Sequence, residues 1–332
     1  MPGGHSGDRL DNVRVAVLIP CYNEEISIGR VVRDFSELLP QADIFVYDNN
    51  SDDRTREIAA ASGAIVRRET MQGKGHVVRR MFSDIEADYY ILVDGDATYD
   101  ASAVPDMLAQ AATQGLDMVN GARVTDQAAA YRRGHVLGNR VLTGLVMSIF
   151  GHRMDDMLSG YRVFSRRFVK SFPISASGFE IETELTVHAL ELDMPISEIT
   201  TRYFQRIDGS TSKLRTYHDG LRILKTIFSL IQREKPLPFY LFFCAVFAAS
   251  GLLIGNAVIM EYLRTGLVPR LPSAVLATGL MLLSGMCLLC GIVLNAIKHA
   301  RLEIKKLAYL SHAIRIVEQD PPAPGPGRQG MA

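Results

Sequence analysis

The chain has 332 residues, 36 of them basic and 36 acidic, for a formal net charge of zero. That length allows one large domain plus a further element, and the lack of a basic excess speaks against a nucleic-acid partner. Four scattered cysteines (Cys21, Cys244, Cys287, Cys290) do not suggest a disulfide framework, and the CxxC spacing of the last two falls in an apolar run that reads as membrane helix rather than redox or metal chemistry.

Residues 1–12 are polar and read as a flexible N-terminus without a cleavable signal peptide. Val13–Pro20 is a first strand, followed by the loop Cys21-Tyr22-Asn23-Glu24-Glu25. Ile26, Val31, Val32, Phe35, Leu38 and Leu39 recur at helical spacing up to Pro40. A second strand, Ile44–Tyr47, runs into the turn Asp48-Asn49-Asn50-Ser51-Asp52-Asp53, whose residues suit a turn and a helix N-cap. The helix through Ile58 and Ala61 closes at Gly63, Ala64–Arg67 is a third strand, and Gln72-Gly73-Lys74-Gly75 opens a helix through Ile85. Tyr89–Val93 is an apolar, β-prone run, followed by a helix over Val104–Gln114 and a strand at Met118–Val119 that leaves at Gly121-Ala122-Arg123. Alternating strands and helices imply a mostly parallel sheet covered on both faces, with its loops converging at one edge.

The Tyr89–Val93 strand ends in Asp94-Gly95-Asp96. Carboxylates just past a central strand lie where open α/β sheets bind ligands. Such acids suit Mg²⁺, which takes oxygen ligands and is often held by one or two carboxylates plus substrate phosphates. Gly95 is expected to let the backbone turn. The competing reading is a strand end with solvated acids. A dinucleotide-binding domain is disfavoured because the first turn, Cys21–Glu24, has no glycine, and Gly73-Lys74-Gly75 has neither dinucleotide nor P-loop spacing. His76, His135 and His152 share no ligand spacing.

The stretches VAVLIPCYNEE, YDNNSDD and VDGD resemble family 2 glycosyltransferases of the GT-A (Rossmann-like) fold. Ser159–Phe164, Gly178–Glu182 and Arg206-x-x-Gly209-Ser210-x-Ser212-Lys213 are similar to the polyprenyl-phosphate (dolichyl-phosphate-type) group. The resemblance runs from Val13 to about Lys213. It implies that Pro20, Tyr22, Asn23, Glu24, Asp48, Asn49, Lys74, Asp94 and Gly95 bind a nucleotide-sugar donor. Asp94 and Asp96 would hold Mg²⁺ or Mn²⁺, and an acid near Asp155-Asp156, taken as Asp156, would join Asp94 and Asp96 in catalysis. Arg123, Arg140, Arg206 and Lys213 match basic positions that would grip an acceptor phosphate. Asn49 departs from the family's usual acid pair, though an amide can still read a base edge. Ala97-Thr98-Tyr99-Asp100 departs from the mannose enzymes and favours a UDP-sugar.

Residues 134–150 carry an apolar stripe that suits either a core-facing helix or one lying on a membrane. Residues 217–235 read as an interfacial amphipathic helix because they lead into two candidate spans. Phe239–Met260 and Leu271–Ile297 are apolar, uncharged and long enough to cross a bilayer. The expected organisation is a catalytic domain over 13–216, the interfacial helix, a transmembrane hairpin over 236–300 and a tail over 301–332. Within the tail, Arg301–Val317 suits a surface helix and the Pro/Gly-rich end disorder. Arg233 and Lys235 before the hairpin and Lys298, Arg301, Lys305 and Lys306 after it outweigh Arg264 and Arg270 in the link, so both termini are expected to be cytoplasmic.

The expected activity is inverting transfer of a sugar from a nucleotide-sugar to polyprenyl phosphate at the cell membrane. A homo-oligomer is left open. Two alternatives are a transferase acting on another lipid or a polysaccharide and a silent membrane scaffold. The chain has no Trp and so lacks the Gln-x-x-Arg-Trp motif usual in processive synthases; intact Asp94 and Asp96 argue against the scaffold.

Overall fold

The computed structural model describes residues 13–124, 143–144, 146, 150–151, 154–173, 181–206, 228–229 and 231–317. The stripe over 134–150, the segment 217–227, Arg140 and Lys213 lie wholly or mostly outside them. The chain divides into two units, Met1–Leu214 with Lys305–Ala332, and Arg215–Ile304.

The first unit is built on β1 (Val15–Cys21), α1 (Ile28–Leu38), β2 (Asp43–Asp48), α2 (Thr55–Ala61), β3 (Ile65–Arg68), α3 (Lys74–Asp84), β4 (Tyr89–Leu92), α4 (Val104–Gln114), β5 (Met118–Val124), β6 (Arg162–Ser165), α5 (Arg166–Ser171), α6 (Ile181–Glu191) and β7 (Ile196–Arg202). The described strands form one sheet in the order β3-β2-β1-β4-β6-β5-β7. β1 pairs in parallel with β2 and β4, and β5 with β7. Val17, Leu18 and Ile19 are fully buried, as expected for a parallel strand covered on both faces. On α1, Ile28, Val31, Val32 and Phe35 are buried against the sheet. Ile26 precedes the helix and is exposed, as is Leu38 on its outer side. At the sheet edge, β3 carries exposed Arg67 and Arg68, charges that discourage pairing with another chain.

The strand at Met118 is longer than the apolar pattern indicates, running on to Val124. The alternation also does not reveal β6. This strand lies antiparallel between β4 and β5, with Leu92 opposite Arg162 and Val119 opposite Val163. Because it runs against its neighbours, its leading residues, Ser159-Gly160-Tyr161, reach the edge where the other strands end.

The segment after Lys305 belongs to this unit and packs on its surface. The tyrosine OH of Tyr309 donates to Asp117 Oδ2 at 2.8 Å, and the Arg167 guanidinium lies 4.8 Å from the Tyr309 ring centre. Arg167 also pairs with Asp117. The Tyr89 hydroxyl donates to the Arg315 carbonyl at 2.6 Å, and the Val317 amide donates to the Ala112 carbonyl at 3.0 Å. Lys305 pairs with Glu191. Helix is lost after Leu310, and Ser311–Val317 continues without regular structure.

The second unit contains α7 (Pro236–Thr265) and most of α8 (Leu271–Leu310). Only 6% and 11% of their most apolar stretches are buried. A soluble core helix would be mostly covered, so these helices are long and apolar enough to cross a bilayer and present their side chains outward. They meet through small residues: a Cβ at Gly251 would lie 3.2 Å from Met281, and one at Gly255 3.6 Å from Ala277. Ser284 Oγ donates to the Cys244 carbonyl at 2.9 Å. All four cysteines are free thiols.

Candidate active site

The C-terminal ends of β1, β2 and β4 meet at one edge. The loops leaving them carry Asn23, Asn50 and Ala97 with φ of 51°, 65° and 55°. Asparagine visits this left-handed region readily, whereas for alanine it costs roughly 1–2 kcal/mol. Such strain gathers where surrounding contacts over-determine the backbone. Here those contacts are dense. The Asn23 amide donates to Ser51 Oγ at 2.9 Å and the Glu24 amide to Thr55 Oγ1 at 2.8 Å, while the Asp52 amide donates to Asn23 Oδ1 at 2.9 Å. Asp48 is fully buried, accepts from the Ser51 amide and lies 3.6 Å from Arg56 Nε. Pro20 and Tyr22 are half-buried on the same loop edge.

Asn49 is occupied differently from the expected base contact. Its side-chain NH₂ donates to the Glu69 and Met71 carbonyls at 3.0 and 2.8 Å, and its Oδ1 accepts from the Gly73 amide at 2.7 Å. All of the amide's polar groups are therefore engaged in holding the β3–α3 loop. A carboxylate accepts only, so it could not make the two donations; this accounts for an amide in place of the usual acid.

That loop leads into Lys74. Its Nζ lies 2.5 Å from Asp94 Oδ1 and 2.6 Å from Glu182 Oε1, with only 9% of the side chain exposed. Burial works against the ammonium, but the two carboxylates outweigh it and hold Lys74 above its usual range. Glu182 thus joins the site. The motif Gly178–Glu182 pointed to this region, but nothing in its spacing connected Glu182 to Lys74, 108 residues away.

Asp96 is almost wholly buried. Its Oδ1 accepts from Thr98 Oγ1 at 2.6 Å and the Thr98 amide at 3.2 Å, and Oδ2 lies 2.6 Å from Arg206 Nη2. Burial and the neighbouring Asp94 charge push its carboxyl up, against the opposing pull of Arg206 and Thr98.

Two glycines make room for this arrangement. The backbone turns at Gly95-Asp96 as expected, but without a positive φ at Gly95, so the turn does not draw on glycine's left-handed freedom. A Cβ there would come 2.6 Å from Cys21 Sγ, so Gly95 permits close approach of the Asp94–Asp96 turn to β1. Its carbonyl accepts from Ser27 Oγ at 2.8 Å. A Cβ at Gly160 would come 2.5 Å from Asp94 Oδ2. Gly160 therefore forms the floor on which the Asp94 carboxylate rests, and its amide donates to the Tyr99 hydroxyl at 2.8 Å.

Asp156 and Arg123, expected in separate roles, form one bidentate pair, with Nε–Oδ2 at 2.6 Å and Nη2–Oδ1 at 2.9 Å. The guanidinium also lies 5.4 Å from the Tyr203 ring centre. Asp155 donates its backbone amide to Glu198, which also binds Asn120. In this conformation Asp156 orients Arg123. A cleft of about 310 Å³ opens beside Asp94, lined by Arg30, Asp34, Phe35, Tyr99 and Phe204 among others.

Among the described residues no three potential ligands cluster around a metal position. Asp94 and Asp96 nevertheless suit a hard divalent cation. Both are carboxylates, each is already in contact with a cationic side chain, and Mg²⁺ commonly completes its shell with water and phosphate oxygens.

Residues 16–172 match the family model described as glycosyl transferase family 2. Glycosyltransferase AglJ of Haloferax volcanii is 35% identical over 75% of this chain and 81% of its own length. The dolichyl-phosphate hexose transferase of the same organism is 28% identical over 67% of this chain and 95% of its own. Among solved structures, glucosyl-3-phosphoglycerate synthase of Mycobacterium tuberculosis, in complex with Mn²⁺ and UDP-glucose, superposes with a TM-score of 0.55 at 24% identity, covering 70% of this chain and 84% of that one. With its sheet order, its acid pair at the end of β4 and these relatives, the chain belongs to glycosyltransferase family 2 and has the GT-A fold.

Proposed function

We propose that this glycosyltransferase moves a sugar from a nucleotide-sugar, with UDP-sugars favoured, to the phosphate of a polyprenyl lipid, supplying a lipid-linked monosaccharide for cell-envelope glycosylation. The observation that carries the proposal is the Lys74–Asp94 and Asp96–Arg206 constellation at the end of β4, in a chain that also has two bilayer-length apolar helices. The dolichyl-phosphate hexose transferase relative supports a lipid-phosphate acceptor. The departure at Ala97–Asp100 favours UDP, and the Mycobacterium tuberculosis synthase, which has the same fold, holds Mn²⁺ and UDP-glucose together.

Pro20, Tyr22, Asn23, Glu24 and Asp48 frame the nucleoside side of the site, with Asn49 acting through the loop it holds. Lys74 faces the diphosphate. Mg²⁺ or Mn²⁺ on Asp94 and Asp96 would neutralise charge on the departing nucleotide diphosphate. An acceptor phosphate is already anionic, so the protein need not supply a strong base; positioning and charge stabilisation suffice. In-line attack at the anomeric carbon then inverts its configuration. Arg206 and Lys213, with Arg123 and Arg140, are the proposed grips for the acceptor phosphate, and Asp156 acts through Arg123. We read the two apolar helices as membrane spans, and the basic flanks favour cytoplasmic termini.

The test is to incubate membranes containing the protein with a panel of labelled nucleotide-sugars and polyprenyl phosphate, then extract the lipid. A labelled monosaccharide–phosphate lipid, made only when the intact protein is present, is the expected product. Turnover of nucleotide-sugar with no labelled lipid would assign another acceptor.

A further inference from the structure

We propose that Arg206 is the resident counter-ion of Asp96 and competes with the divalent cation for it, so that binding of the metal frees the guanidinium for a phosphate. The inference rests on the metal site described above and deepens it by coupling the two halves of the reaction.

Asp96 has few ways to satisfy its charge. Only 6% of its side chain is exposed, so water cannot stabilise the carboxylate. Thr98 occupies Oδ1 with both its hydroxyl and its amide. Arg206 Nη2 lies 2.6 Å from Oδ2. A divalent cation held by that oxygen would lie close to the guanidinium, and two cations so near each other repel more strongly in a partly buried site than in bulk water.

The cation on the other acid is fixed. Lys74 is the first residue of α3, lies between Asp94 and Glu182 and is 9% exposed. Arg206 is 32% exposed and comes after the end of β7. Of the two cations it is the more exposed, and it is the one that leaves in this exchange. Once released it retains the planar fork suited to phosphate. The exchange would make the acceptor's basic contact available after the metal has arrived.

The experiment measures Mn²⁺ affinity of the full-length protein in detergent from the EPR signal of free Mn²⁺, at fixed ionic strength and without nucleotide or lipid. Arg206→Ala should bind Mn²⁺ about five- to tenfold more tightly than wild type, a gain discounted for partial exposure of the pair. Arg206→Lys should remain within about threefold of wild type, because it retains a cation. Asp96→Asn should bind at least about tenfold more weakly, reporting that the measured ion is at this site. Arg202→Ala removes an exposed positive charge from the end of the same strand and should stay within about twofold. The proposal is overturned if Arg206→Ala binds Mn²⁺ no more tightly than wild type, or if Arg202→Ala gains as much. Because donor and acceptor are both absent, failure of the polyprenyl-phosphate reading would not alter this result, and failure of the competition would not alter the lipid assay.

Discussion

Asn49→Asp exchanges an NH₂ for an oxygen with almost no change in shape, and its effect is worked from the contacts around it. Asn49 is 4% exposed and makes two donations to the Glu69 and Met71 carbonyls. In the variant both donations disappear and the carbonyls face a carboxylate. Each lost hydrogen bond costs about 1 kcal/mol and orphaned buried groups add to it, for a total of about 2–4 kcal/mol. In a unit of this size that corresponds to a Tm lower by about 6–12 °C. The introduced carboxyl, buried against carbonyl oxygens, would have its pKa raised in the folded state. The folded form then binds more protons than the unfolded one, so the charge-related loss is full above the raised pKa and fades as pH falls towards the unfolded value. The loop ending at Lys74 should also loosen, weakening UDP binding. Thermal unfolding between pH 5 and 8 and UDP titration on the detergent-solubilised protein check both effects. An unchanged Tm together with unchanged UDP affinity at pH 7 would refute the assignment of Asn49 to the loop.

Five other variants or fusions probe the remaining claims. Gly160→Ala should displace the Asp94 carboxylate, whose Oδ2 lies 2.5 Å from the new Cβ position, and lower kcat at least about tenfold; full turnover would show that the carboxylate can move aside. Asp94→Asn and Asp96→Asn should each abolish transfer while the protein remains folded, measured by lipid-product assay alongside circular dichroism. Tyr309→Phe removes the hydroxyl from Asp117 but keeps the ring beneath Arg167; it should cost about 1–2 kcal/mol in unfolding free energy, read from a denaturant titration, and an unchanged midpoint would count against the contact. A reporter fused after Ala332 should be accessible only from the cytoplasmic side, and labelling from outside intact cells would reverse the proposed orientation.

The strands and helices up to Arg123 were legible from the sequence because their signals are local. Val15–Pro20 and Tyr89–Val93 are unbroken apolar runs, and the α1 residues Val31, Val32 and Phe35 repeat at the period of a helix with one buried face. The loops at Asn23, Asp48 and Asp94 were expected to converge because crossover connections in a parallel sheet bring its strand ends to one edge. The apolar lengths of 239–260 and 271–297 likewise depend only on composition. Contacts between distant segments carried no such signal. Nothing near Ser159 marks β6 as antiparallel, yet that direction alone brings Gly160 beneath Asp94. Asp156 and Arg123 each matched a site position, but the ion pair between them depends on sheet order. Asn49 suited a base by its chemistry, but the packed β3–α3 loop occupies its amide. Arg301–Val317 was expected as a surface helix, but nothing in it indicated that it would rest on Tyr89, Asp117 and Arg167. Periodicity records which face of an element is buried, whereas these pairings depend on which elements become neighbours, and the tertiary structure alone decides that.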